Sequence, residues 1–184
     1  ARGVGKRFGP LAVLEDISFD VGPGEIVAVV GPSGCGKSTL LRILGGLERA
    51  DSGVVETQGE APAASLNPIT YVFQDFALLP WRSVIDNVAF ALEHRVSDSA
   101  RRREMAAQAL DALGLSGFHE AYPRQLSGGM KQRVGLARAL AVKPAVLLMD
   151  EPLSALDAQT RELLMADLAA LLSREPFAGV YVTH

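Results

Sequence analysis

Three short stretches carry side chains suited to handling a phosphate chain. Gly31 to Thr39, GPSGCGKST, fits G-x-x-x-x-G-K-[ST] in full. A β-branched run precedes it and a helical pattern comes after, the setting in which such a loop wraps phosphate. Backbone N–H groups from Ser33 through Gly34, Cys35, Gly36 and Lys37 to Ser38 would close around a β-phosphate. Lys37 would reach the β- and γ-phosphates, the Ser38 hydroxyl would meet Mg²⁺, and Thr39 would contact a phosphate nearer the sugar. At Cys35 the backbone is what matters. The second stretch, Val146 to Met149 and then Asp150 and Glu151, ends an apolar strand in two carboxylates. Asp150 is placed to hold Mg²⁺, and Glu151 to polarise an attacking water as a general base.

The third stretch is Leu126-Ser127-Gly128-Gly129, at the head of a helical pattern. Met130, Val134, Ala137 and Ala141 make one apolar stripe, with Lys131 and Arg138 off it. A helix start with small residues and free N–H groups attracts anions. One phosphate loop already cradles one triphosphate tail, so a second anion site in the same chain is redundant. It gains a purpose if two copies meet head to tail. Ser127, Gly128 and Gly129 of one copy would then face the γ-phosphate held by Lys37 of the other.

Elements must hold these groups in place. Ile26 to Val30 reads as a buried strand. Ser38 to Leu47 reads as a helix packing through Leu40, Leu41, Leu44 and Leu47. Val54 to Thr57 and Ile69 to Phe73 read as strands, and Val84 to Leu92 and Ala100 to Leu113 as helices. After the Ser127 helix come a buried strand at Ala145 to Met149, a helix at Ala158 to Leu172 and a short strand at Val180 to Thr183. Strands thus flank a block of helices. The expectation is an α/β core with a mixed sheet over 1–82 and 143–184, and an inserted helical sub-domain over 83–142.

Composition narrows the function. The chain has 184 residues and a net charge of −3, with basic residues scattered apart from Arg101-Arg102-Arg103, expected to be a solvated helix start. That pattern argues against a nucleic-acid surface or a polybasic membrane anchor. One cysteine allows no internal disulfide. No apolar run approaches the ~20 residues of a membrane helix, so work at a membrane would need spans from another chain. A first residue Ala1 and a last residue His184 give the expectation of a fragment cut at both ends. His94 and His119 have no evident ligand partners and are expected to be solvated.

Taken together, the motifs resemble the nucleotide-binding domain of an ATP-binding-cassette transporter, a P-loop NTPase fold. GPSGCGKST resembles the Walker A loop, Gln74 in YVFQDFALLPWRS the Q-loop glutamine, LSGGMKQR the family signature and AVLLMDE the Walker B strand. Ser154-Ala155-Leu156-Asp157 resembles the D-loop, and His184 the switch histidine. The resemblance implies that Phe8 stacks on adenine and that Gln74 touches Mg²⁺ or the attacking water and links the core to the helical block. It also implies that Asp157 crosses a dimer interface and His184 contacts the γ-phosphate. Met130 departs from the signature's common Gln. The implied protein is an ATPase that binds ATP and Mg²⁺ and dimerises head to tail. It would sit peripherally on the cytoplasmic face of the membrane and drive a permease supplied by a solute-binding protein. The LLPW and DEP wording is most similar to importers of nitrate, sulfonate, taurine or related anions. The Leu79 to Arg82 segment would face the permease, while Trp81 within it reads either as part of that surface or as a core tryptophan. The alternative is a soluble cassette ATPase of DNA repair or translation. The chain lacks the coiled-coil or zinc insertion of the repair type. A P-loop kinase would leave LSGG and SALD without a role.

Overall fold

The computed structural model describes residues 1–61, 63, 65–152 and 177–183. The expected helix at Ala158 to Leu172, Asp157 with the rest of its motif, and His184 lie outside the described residues. Two sheets divide the antiparallel and parallel pairing between them. β1 (Arg2–Phe8) and β2 (Leu11–Ile17) form an antiparallel hairpin, and β4 (Ser52–Val54) pairs antiparallel with the other edge of β1. The second sheet is parallel, in the order β3 (Ile26–Val30), β7 (Ala178–Thr183), β6 (Val146–Asp150), β5 (Ile69–Val72).

Helix α1 (Lys37–Leu44) lies between the sheets. Leu40 and Ile43 pack with Val4 and Leu14 of the hairpin, and Leu41 packs with Leu148, Val180 and Val182 of the parallel sheet. A second core joins α2 (Val84–Phe90), α3 (Ser99–Asp111) and α4 (Gly128–Ala141). It runs through Val84, Val88, Leu110, Val134 and Ala137 into Leu147 and Met149 of β6. The helices start where caps allow. Ser83 Oγ accepts from Asp86 N, Asp98 from Ala100 N, and Ser127 Oγ from Met130 N.

Several expectations are corrected. β3 is not buried: its side chains are half-buried or exposed, because it forms one edge of the parallel sheet among the described strands. Leu47 is 59% exposed, because α1 ends at Leu44 and the Gly45-Gly46 turn carries the chain off the helix axis. The strand expected at Val54 starts earlier and lies at Ser52–Val54. Gly53 sits so close to Gly3 that a methyl carbon on it would stand 2.2 Å from Gly3 O. His119 is not simply solvated; its Nε2 is 2.8 Å from Asp111 Oδ1. The arginine run does lie at the start of α3 with Arg101 and Arg103 exposed, as expected, and it is also paired: Arg102 donates to the carbonyls of Val96 and Ser97, and Arg103 pairs with Asp86 and Glu120. Trp81 is no core residue, being 72% exposed.

Candidate active site

All four parallel strands end level with one another. Val30 pairs with Thr183, Asp150 with Val182, and Val72 with Met149. The residues just beyond the strands therefore stand along one sheet edge, the carboxyl edge where open α/β sheets bind ligands. The Gly31 to Thr39 loop leaves β3 there, Glu151 leaves β6 and Phe73-Gln74 leaves β5.

The loop is shaped by its glycines at two places. Gly34 and Gly36 have φ +79° and +99°, open to glycine without strain. At Gly36 there is also no room: a methyl carbon would stand 2.8 Å from Val13 Cγ1 and Val13 O. Strand β2 thus presses directly on the loop. Gly36 is the N-cap of α1 and supplies no side-chain cap, so first-turn N–H groups remain for an anion. Cys35 is exposed and free, with its N–H 3.4 Å from Pro32 O in the loop's own turn.

Lys37 is 6% exposed, and its Nζ donates to Gly31 O at 2.7 Å and Pro32 O at 2.9 Å. Its nearest carboxylate is Glu151 Oε1, at 4.0 Å. Two carbonyl bonds and an ion pair at 4.0 Å hold this buried ammonium at the head of the loop, where phosphate oxygens could take their place. Ser38 Oγ donates to Asp150 Oδ1 at 2.9 Å, and Tyr71 OH donates to Asp150 Oδ2 at 2.9 Å. Burial first, then the Asp150 carboxylate, hold the Tyr71 phenol well above its ordinary range.

Glu151 leaves the strand with φ +46°, a left-handed conformation unusual for a non-glycine residue, and its N–H donates to Val182 O at 3.1 Å. A continuing strand would point Asp150 and Glu151 to opposite faces. The turn brings both carboxylates to one site. Gln74 Nε2 stands 3.5 Å from Glu151 Oε2.

The structure thus gathers Lys37, Ser38, Asp150, Glu151 and Gln74. Phe8 stands apart, 50% exposed at the end of β1, with Lys6 Nζ 5.4 Å from its ring centroid. Ser127, Gly128 and Gly129 share no hydrogen bond with the loop among the described residues; Ser127 and Gly128 are exposed at the start of α4.

Sequence reasoning missed three supports. Tyr71 holds Asp150. Buried Asn87 organises the segment before α2, accepting from Leu79 N–H and donating to the carbonyls of Leu79, Arg82 and Ser83. Arg138 of α4 donates to the carbonyls of Phe76 and Ala77, two left-handed residues just after Gln74. A methyl carbon on Gly135 would stand 3.2 Å from Phe76 Cβ, so glycine admits that turn against the helix. The only advance signal was the off-stripe position of Arg138.

A profile of the ABC transporter family matches residues 14–154. The chain belongs to the ABC transporter family. It is 50% identical over its whole length to aliphatic sulfonates import ATP-binding protein SsuB 2 of Xanthomonas axonopodis pv. citri, covering 61% of that protein. It is 44% identical over 184 residues to Fe(3+) ions import ATP-binding protein FbpC of Agrobacterium fabrum, with 98% of this chain and 52% of that protein covered. The chain therefore spans between about half and three fifths of the length of these two relatives. A dimeric post-hydrolysis structure of the ATP-binding cassette MJ0796, bound to ADP and Pi, matches with TM-score 0.85 and 34% identity, over 100% of this chain and 86% of that one. The ABC cassette fold expected from the motifs, a P-loop α/β core, is the fold of this chain. The expected similarity to sulfonate-type import ATPases also holds.

Proposed function

We propose that this chain is the ATP-binding and ATP-hydrolysing part of an importer, energising uptake of a small solute, a sulfonate or related anion, through a separate permease. The observation that carries the reading is the cluster at the sheet edge: Lys37 folded over the phosphate loop, with Glu151 4.0 Å away and Gln74 beside it.

Each residue has a task in that reaction. Lys37 exchanges the Gly31 and Pro32 carbonyls for β- and γ-phosphate oxygens. The loop N–H groups and the α1 N-terminus bind the rest of the chain of charge. Glu151 takes a proton from the attacking water as the bond between the γ-phosphorus and its bridging oxygen breaks, and Gln74 orients that water. Ser38 and Asp150 fit a Mg²⁺ ion. Both are hard oxygen donors, and the buried Asp150 carboxylate is faced by two neutral hydroxyls. When bound, Mg²⁺ neutralises charge on the phosphates.

The remaining roles belong to the same proposal. Phe8 stacks on adenine. Ser127, Gly128 and Gly129 meet the γ-phosphate held by a second copy in a head-to-tail dimer. Asp157 crosses that interface and His184 contacts the γ-phosphate. Residues 1–82 and 143–184 form the ATP-binding core and 83–142 the helical sub-domain; α2, α3 and α4 all fall in the latter. The subunit lies on the cytoplasmic face of the membrane. No helix among the described residues is long and apolar enough to cross it. The permease docks beside exposed Trp81, at a groove of about 230 Å³ edged by Arg82, Asp86, Glu93 and Arg103. A solute-binding protein delivers the cargo.

The deciding test is Glu151→Gln, studied by light scattering and phosphate release. ATP should still bind, turnover should fall about 10²- to 10⁴-fold, and a dimer should form only with Mg-ATP. Unchanged turnover would remove Glu151 as the base. A monomer with ATP demonstrably bound would remove the ATP-driven dimer.

A further inference from the structure

We propose that Tyr71 is a positioning residue for the divalent cation: its hydroxyl fixes the Asp150 carboxylate so that Oδ1 is turned toward Ser38 and the phosphate loop. This rests on the reading of Ser38 and Asp150 as the cation's protein ligands.

The register of the sheet places the phenol there. Tyr71 pairs with Leu148 across β5 and β6, and Leu148 and Asp150 share a face because side chains alternate along a strand. The phenol is long enough to reach two residues up the neighbouring strand, where its hydroxyl meets Oδ2 at 2.9 Å. The ring has little freedom. Its centroid is 4.4 Å from that of Phe73, and a methyl carbon on Gly45 would stand 3.5 Å from its Cδ2. Oδ1 is then the oxygen left for Ser38, at 2.9 Å. The last torsion of an aspartate is broad and two-fold, so a carboxylate held at one oxygen only is poorly aimed. Hydrogen bonds of this kind orient metal ligands, and losing one costs about 10- to 100-fold in metal affinity or activity.

Tyr71→Phe removes one oxygen and keeps the ring. In the full chain, ATP binding is titrated against Mg²⁺, and Mn²⁺ binding in the presence of ATP is tracked by electron paramagnetic resonance. The half-saturating concentration of each ion should rise about tenfold or more, while ATP affinity in excess chelator stays at the parent value. Tyr71→Met, which keeps apolar bulk without a hydroxyl, should give the same rise. Ion dependences that superimpose on the parent's in both variants overturn the role of Tyr71 and leave the cation site standing. A parent chain that binds ATP identically with and without either ion overturns the cation site itself, and the role of Tyr71 with it.

Discussion

At the residue scale, the Lys37 ammonium faces the Glu151 carboxylate at 4.0 Å, too long for a hydrogen bond. Lys37 is buried, and its two hydrogen bonds are to carbonyls. A hydrogen bond to a charged group contributes about 1.5–3 kcal/mol. Lys37→Ala should therefore weaken ATP binding by at least about tenfold, read with a fluorescent nucleotide; unchanged binding would refute the cradle. The chemistry-bearing residues were legible because phosphate binding demands particular types at fixed spacing. Glycine is required at Gly36 by the wall of Val13, and serine and lysine by their reach. Tyr71 was not legible. A tyrosine in a strand reads as ordinary sheet packing, and its partner lies 79 positions away.

At the element scale, α4 is capped by Ser127, whose hydroxyl accepts the Met130 N–H. Among the described residues, no hydrogen bond takes the amides of Gly128 and Gly129 at the helix start. Ser127→Arg should leave ATP binding by the monomer intact while blocking the Mg-ATP dimer of Glu151→Gln, measured by sedimentation; a normal dimer would exclude a role for this helix start across the interface. The helices of the core were readable because their apolar period matches the face they bury: Val134, Ala137 and Ala141 are all inside. The β1–β2 hairpin was not. Strand β1 carries Lys6 at a core position, two neighbouring glycines and register shifts, so no alternation reaches the sequence. Lys6 is tolerated there because Glu48, Asp51 and the Arg49 carbonyl surround its ammonium.

At the scale of the whole molecule, that same cluster ties the hairpin to the segment after α1 and gives the fold a pH dependence. The Arg7 N–H, with Lys6 after it, holds the Asp51 carboxyl below its ordinary value of 3.8. The Lys6 ammonium holds Glu48 below 4.5. A carboxyl depressed on folding contributes stability above its unfolded value and loses it as pH falls through the folded one. Acid unfolding should therefore steepen below about pH 4, and Asp51→Asn should flatten that limb, measured by denaturant titration across pH. An unchanged acid limb would exclude this cluster as its source. One helix also connects both ends of the proposed reaction cycle. Arg138 grips the turn just after Gln74, and Ser127 stands eleven residues away at the other end of α4. At 1.5 Å per residue that arm is about 16 Å long, so a tilt of about 10° pivoting on Arg138 swings Ser127 by roughly 3 Å. A displacement of that size is a whole hydrogen-bond length. In the proposed cycle helix α4 would therefore act as a lever, its short end fixed to the turn after Gln74 and its long end carrying Ser127 toward a neighbour's nucleotide.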